Sequence, residues 1–470
     1  MKPLRVILVN LGRRSRTFQL TTPPLGILYL AAYLRTRFDL QIRIIDQKID
    51  NCSAREIAAR VIEYEPDIVG LSVMTTTAYQ LGEITRYIRR GIPRALILLG
   101  GPHIFAFQEL SLRNNSADAA VSGEGELSLA AVIQARLSGE DLAGIAGLIR
   151  RTADGAVVTN PGRMPPIEDL DSLPLPAYDL IDLSSYWKLQ SIAPLPRRRY
   201  ISLLSSRGCP YRCMWCHSIF GKRFRPHSPE RIVEELSYFT QTYGLKDVEF
   251  IDDIFNLDPD RVTRLADEVN RRRLPLALEL ANGVRADILT DETVEALASL
   301  NLYWCSMSLE TASSRLQEFT GKRLNIPKFL AGVEMVARKS IFTNGFAMFG
   351  FPTETSEEMQ LTLETMVSST LHTASFFTVL PFPNTRLYEV AREYCPERLE
   401  RLNYDDVNFS SVRINLSAVP DAELFGFQRR ANRVFFTRPR RIFRILRDYP
   451  GLYRLPAYLP IFLDRLTKGW

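Results

Sequence analysis

The stretch SSRGCPYRCMWC, residues 205–216, decides how the rest of the chain reads. It presents Cys209, Cys213 and Cys216 at the spacing C-x3-C-x2-C. Three thiolates packed this closely suit one compact metal centre. A cubic iron–sulfur cluster normally takes a thiolate on each iron, so three local ligands leave one iron open for a ligand or substrate. The preceding ISLLSS reads as a short buried strand, and Gly208 breaks it into a loop that can wrap a cluster. Two other readings compete. A structural zinc site takes two well-separated ligand pairs and closes all four positions. His217 directly follows Cys216 and would strain such a tetrahedron. Three unrelated buried cysteines would carry no metal.

Working outward, the 470-residue chain is 46% hydrophobic, which suits two or three domains with sizeable cores and not a disordered chain. It has no apolar run of about eighteen residues, so no spanning helix is expected. The opening MKPLRVILVNLG is too short in its apolar part for a secretory signal and reads as a first strand. Of the six cysteines, three are clustered and Cys52, Cys305 and Cys395 are scattered, which is no disulfide framework. A reducing cytoplasm is expected. Cys305 and Met307 alternate on one apolar strand and read as core packing. The net charge of +6 is modest, but basic residues crowd the last fifty positions.

Residues 1–150 alternate strand and helix patterns, which predicts a parallel, doubly wound sheet with a ligand crevice beyond its carboxyl ends. The loops there are LSVMTTTA (71–78), LGGPHIFAF (99–107) and SGEGE (122–126). Their small and hydroxylated residues let backbone approach a flat or extended ligand, although simple turn chemistry would use the same residues. No GxGxxG follows the first strand and no P-loop is present, so a nucleotide is not favoured. Residues 151–199 form a proline-rich linker, read as an extended strap. From 200 to 390 six strand–helix repeats would close most of a parallel barrel. Asp252, Asp253, Arg285 and Glu310 fall at its strand ends, where a charge faces a ligand or joins a salt-bridge ring.

With Trp215 before the last cysteine, the C-x3-C-x2-C loop resembles the signature of the radical S-adenosylmethionine enzymes. PPLGILYLAAYLR, PDIVGLSVMTTTAY, LLGGPH and VSGEGE resemble the cobalamin-binding domain that precedes many of their cores. The resemblance implies an α/β chain: an N-terminal doubly wound, Rossmann-like cobalamin-binding domain, a partial (β/α)6 TIM-type barrel and a helical C-terminal region at 391–470. It implies a 4Fe-4S cluster on Cys209, Cys213 and Cys216, whose open iron chelates S-adenosyl-L-methionine. Asp253 would meet the methionine amino group, and Arg285 would lie near the bound carboxylate. Glu310, in SLETAS, would match a family strand end. Tyr211 and Trp215 would pack around cluster and adenine, and the backbone of FAMFGFPTET would meet adenine. In the first domain Ser72 and Thr75 would approach the lower corrin face or nucleotide tail. Gly100 and Gly101 would let the tail pass, and Gly123, Glu124 and Gly125 would line the far edge. The D-x-H-x-x-G motif of other cobalamin enzymes is absent, so cobalt without a histidine ligand is expected. His103, in GGPH, reads as a loop-stabilising imidazole.

The reaction so implied is C-methylation of an unactivated carbon through a 5′-deoxyadenosyl radical and methylcobalamin. The alternatives are a radical cyclase or rearrangement enzyme of lipid, hopanoid or tetrapyrrole metabolism, and a non-catalytic cobalamin or redox sensor. The expected partners are a small-molecule substrate, lipid-like or tetrapyrrole, and an external electron donor, flavodoxin or ferredoxin. No nucleic acid is expected. In the C-terminal region, helical spacing places Phe435, Ile442, Phe443 and Leu446 near one face and Arg433, Arg440, Arg441 and Arg444 elsewhere. Such a helix could pack on the barrel or make peripheral contact with an anionic membrane.

Overall fold

The computed structural model describes residues 2–12, 21–189, 191, 199–404 and 414–450. They form two compact units, one of residues up to 189 with short returns at 217–220 and 404, the other of the remainder.

In the first unit β1 (Leu4–Asn10), β2 (Leu40–Asp46), β3 (Ile68–Ser72), β4 (Leu96–Gly100) and β5 (Ala119–Ala120) run parallel in the order β2-β1-β3-β4-β5. A parallel sheet is covered on both faces, so its strands carry continuous apolar runs. Val6, Ile7, Leu8 and Val9 are accordingly all buried. One face packs Ile7, Val9, Val69, Leu71 and Ile97 against Ile57, Val61, Ile84 and Ile88 from helices Ala54–Tyr64 and Leu81–Gly91. Helices Leu25–Arg35 and Glu126–Ser138 pack against each other. The strand order reverses between β1 and β3, which puts the crevice beside the loop after β3.

The expected boundary at 150 falls inside a strand. β6 (Ile149–Arg151) pairs antiparallel with β5, and β7 (Val157–Thr159) pairs antiparallel with β6. Strands of three residues are too short to show a period-two pattern, which is why they read as linker. Much of the strap beyond them belongs to the same unit. Ala177 N–H donates to the Leu28 carbonyl at 3.1 Å, Arg35 pairs with Asp179 at 2.6 Å, and Tyr186 Oη donates to Asp46 Oδ2 at 2.8 Å. Residues 192–198 of the linker lie outside the described residues.

The second unit holds β8 (Tyr200–Leu203), β9 (Ser206–Arg207), β10 (Arg225–Pro226), β11 (Asp247–Phe250), β12 (Ala277–Val284), β13 (Leu302–Glu310), β14 (Phe342–Phe349) and β15 (Thr373–Thr378). Six of them form one parallel sheet in chain order, β8-β11-β12-β13-β14-β15, with helices between: the expected partial (β/α)6 barrel. β9 and β10 form a separate antiparallel pair. Five connecting helices begin alike. Ser228, Asp258, Thr290, Asn325 and Thr355 each accept a backbone N–H three residues on, which satisfies an otherwise orphaned helical donor. β11 ends at Phe250, so Asp252 and Asp253 lie in the loop beyond it rather than on the strand.

The C-terminal expectation is overturned in detail. A single amphipathic face does not run from Phe435 to Leu446, because one helix, Asp421–Phe436, ends and another, Pro439–Asp448, begins at a proline. Phe435 is buried beside Phe376, with 5.8 Å between ring centroids. In the second helix the sense inverts: Arg441 is buried, whereas Ile442, Phe443 and Leu446 are 39%, 67% and 46% exposed. Arg441 donates to the carbonyls of Leu371, Val367 and Ser369, the last two at 2.7 and 3.2 Å, and so caps the end of helix Ser356–Ser368. Burial lowers its pKa to about 9. Residues 451–470 of the basic region lie outside the described residues. No helix among the described residues is long and apolar enough to cross a membrane.

Candidate active site

The cysteine loop leaves β9 and returns at β10, and the barrel holds it through backbone. Met214 N–H donates to the Thr320 carbonyl at 2.9 Å, and the Met214 carbonyl accepts from Leu387 N–H at 2.8 Å. Gly321 makes that approach possible. A Cβ there would stand 2.8 Å from the Arg212 carbonyl oxygen, and its φ of +68° already favours glycine. The Met214 side chain is buried with Leu316, Phe351 and Leu387, so the loop is anchored by its middle residue rather than by its cysteines. Trp215 lies against Phe351, with 5.4 Å between ring centroids.

The three thiols are electrostatic neighbours. Burial above all, with the charges of Cys213, Asp253 and Cys209 adding to it, pushes Cys216 up to about 12. Burial likewise raises Cys209 and Cys213. Cys216 nevertheless presents surface to solvent, with Cys213, Asp253 and Cys209 as charged neighbours. No three His, Cys, Asp or Glu side chains among the described residues converge tightly enough to chelate a single metal ion. Ligands of one zinc ion, each at about 2.3 Å, must converge so, whereas cluster ligands sit on different irons and stand wider apart. Three neighbouring thiols on one loop fit a cluster of several irons. Bound iron would also displace the thiol protons that burial retains.

Around the loop the barrel gathers most of the expected residues. Asp253 is exposed. Burial of its surroundings raises its pKa, against a 3.2 Å hydrogen bond from Gly208 N–H and the charge of Lys222. Asp252 has a different task. Fully buried, it accepts from Ser205 N–H at 2.6 Å, from Ser205 Oγ and from Ser206 N–H at 3.3 Å, and so fixes the chain leading into the cysteines. Tyr211 lies under the Arg285 guanidinium at 3.9 Å. Arg285 is nearly buried and bonds Asp287 through Nε at 2.8 Å and Nη2 at 3.2 Å. It also donates to the carbonyls of Lys322 at 3.1 Å and Arg323 at 2.9 Å. These bonds make it a brace for the 320s loop rather than a free clamp for a carboxylate. Glu310 ends β13 at a bulge with φ of +67°, a strained geometry that recurs at functional sites. Burial raises its pKa, and Lys322 Nζ, 3.8 Å away, lowers it.

Three residues here escaped the sequence reading. Lys222 and Lys322 fall in none of the motifs quoted from the sequence. Glu354, inside the quoted FAMFGFPTET, is fully buried. Its Oε2 accepts from Gly350 N–H and, at 3.1 Å, from Phe351 N–H, which shapes the turn after β14. The glycine before an acid four residues on was the available signal.

In the first unit the crevice loops are tied together. Val73 N–H donates to the Gly100 carbonyl at 2.9 Å, and His103 N–H to the Val73 carbonyl at 3.0 Å. Gly101 has φ of +95°, and a Cβ there would meet Val73 N at 2.9 Å. Gly100 opens onto free space, Ser72 is half-buried and Thr75 is buried. Glu124 Oε2 accepts from Ile167 N–H at 3.3 Å, and a Cβ on Gly125 would press on Leu30 at 2.9 Å. Gly123, with φ of +99°, makes the turn before them. His103 is buried, stacked on Phe107 with 4.4 Å between centroids, and burial lowers its pKa to about 4, so it is neutral. Met74 and Tyr79, which sequence patterning did not mark, are each 45% exposed at this edge. Exposed apolar groups beside small-residue loops fit a large flat ligand that would cover them.

Comparison with known proteins agrees with this division. The B12 binding domain family matches residues 15–133, and the radical SAM superfamily matches residues 203–366. The chain thus carries a B12-binding domain followed by a radical S-adenosylmethionine domain. An uncharacterized methyltransferase of Pyrococcus horikoshii is 29% identical over 96% of this chain and 96% of its own length. The anaerobic magnesium-protoporphyrin IX monomethyl ester cyclase of Rubrivivax gelatinosus is 23% identical over 86% of this chain and 71% of its own. Among solved structures, the radical S-adenosylmethionine methyltransferase TsrM of Kitasatospora setae, with cobalamin and a [4Fe-4S] cluster bound, superposes with a TM-score of 0.69. It is 22% identical, over 84% of this chain and 79% of its own, so this likeness speaks for the fold.

Proposed function

We propose that this enzyme is a cobalamin-dependent radical S-adenosylmethionine C-methyltransferase acting on an unactivated carbon of a small molecule. One observation carries it: a barrel-anchored loop of three neighbouring thiols, with Asp253 exposed beside it, on a chain that also folds a B12-binding sheet. When bound, the cluster, S-adenosylmethionine and cobalamin would supply a reducing electron, a carbon-centred radical and a methyl group. The chain's own residues then hold and orient. Cys209, Cys213 and Cys216 would hold the cluster, and Asp253 would receive an ammonium group. Lys322 and Glu310 would frame the opposite wall, and Met74, Tyr79, Ser72 and Thr75 would face the corrin. Flavodoxin or ferredoxin is the donor we infer, and the reducing cytoplasm the compartment, because an open cluster is oxygen-sensitive. Anaerobic incubation with S-adenosylmethionine and reductant should yield both 5′-deoxyadenosine and S-adenosylhomocysteine. Deoxyadenosine alone would select the cyclase or rearrangement reading, which similarity to the tetrapyrrole cyclase favours. Neither product would leave only a binding protein.

We also infer that the outward face of helix Pro439–Asp448 touches an anionic membrane surface. Its support is the exposed Ile442, Phe443 and Leu446, flanked by exposed Arg438, Arg440 and Arg447. Arg441 below and His372 Nε2 on Asp448 Oδ2 at 2.9 Å hold that face outward. The chain should co-sediment with phosphatidylserine vesicles and not with phosphatidylcholine ones. Phe443→Asp should weaken binding roughly tenfold or more, given about 1.5–3 kcal/mol for burying such a side chain. Equal binding to both vesicle types would defeat the idea.

A further inference from the structure

Lys222 stands three residues before β10, on the return limb of the cysteine loop. Its Nζ donates to the Tyr211 carbonyl at 2.7 Å, inside the turn between Cys209 and Cys213. The lysine is half-buried. The other cations near the thiols are already matched: Arg285 by Asp287 at 2.8 Å and Lys322 by Glu310 at 3.8 Å. Lys222 has no ion pair among the described residues, and its one hydrogen-bond acceptor is a neutral carbonyl. Its charge therefore acts on the loop and on Asp253 beside it.

We infer that Lys222 is a positioning residue that pins the Cys209–Cys213 turn and, through its unpaired charge, raises the reduction potential of the cluster this loop would hold. The inference rests on the cluster reading above. A cluster on three thiolates is anionic and gains a further negative charge on reduction. A nearby cation stabilises the more negative state, and a half-buried one is weakly screened by salt. Charge and hydrogen bonding around the sulfurs are among the protein's means of setting such potentials.

Two variants separate charge from hydrogen bond. Lys222→Gln keeps an N–H able to reach the Tyr211 carbonyl but removes the charge, and Lys222→Arg keeps the charge. The measurement is an electron-paramagnetic-resonance redox titration of reconstituted full chain without S-adenosylmethionine, with iron and sulfide quantified in each sample. At equal iron content, Lys222→Gln should be about tenfold harder to reduce, a midpoint shift of about −59 mV for one electron, and Lys222→Arg should return to the wild-type value. An unchanged midpoint in loaded Lys222→Gln, or an equal shift in Lys222→Arg, overturns the inference. Wild-type chain that takes up no cluster would instead defeat the proposed function.

Discussion

Cys213→Ala should lose iron and acid-labile sulfide and cut 5′-deoxyadenosine formation by at least about a hundredfold, beyond the 10- to 100-fold typical of changes outside the ligand set. The fold should survive. The loop is held by Met214, through its bonds to Thr320 and Leu387 and its buried side chain, and Cys213 itself is only half-buried. Removing one sulfur deletes a ligand and leaves the anchor in place. Cys305→Ala is the matched control. Cys305 is fully buried in β13 with a thiol pushed up to about 12 by burial, so it should be inert, and its loss should spare iron. Iron, sulfide and deoxyadenosine measured anaerobically in both variants decide the matter. Persistence of all three in Cys213→Ala would show that the ligand set is wrong.

Glu354→Gln should remove one proton's worth of pH dependence from stability. Burial raises the Glu354 pKa from 4.5 to about 8, although Gly350 and Phe351 N–H bonds to Oε2 pull it down. Among the described residues Oε1 has no partner, and it is the natural seat of the proton. The unfolded chain releases this proton near 4.5 and the folded chain keeps it to about 8, so between those values the folded state binds more protons. Stability then falls as pH rises across that window, by up to about 1.4 kcal/mol per unit from this group. Glutamine is close to the neutral acid in shape, and its carbonyl can still accept both N–H groups. Urea midpoints from pH 5 to 8 should converge at the acid end, with the variant increasingly the more stable towards pH 8. Parallel curves for the two proteins would show that Glu354 is ionised in the folded chain.

How much could be read beforehand differs by region. The barrel was legible because each repeat announces itself: an apolar run, a capping residue such as Ser228 or Asn325, then a helix of apolar period. The cysteine triplet was legible because its three thiols are close together in the chain. The β6–β7 hairpin was hidden by its length, and the strap's attachment through Tyr186 and Asp46 by a separation of 140 positions. Arg285 could be picked out as a charge at a strand end, but its engagement with Asp287 and two carbonyls depends on where the 320s loop comes to lie.

The chain alone determined most of the order of strands and helices, the domain types and which three cysteines are proposed as sulfur ligands, since these follow from patterns within a few dozen residues. The tertiary structure decided what each charge does. It separated buried Asp252, a latch, from exposed Asp253, and left Lys222 without an ion pair among the described residues while matching Arg285 and Lys322. It also turned Arg441 inward and Phe443 outward against the helical pattern. Those outcomes depend on which carbonyls and carboxylates lie within about 3 Å after folding, and that proximity is set by packing between segments far apart in the chain.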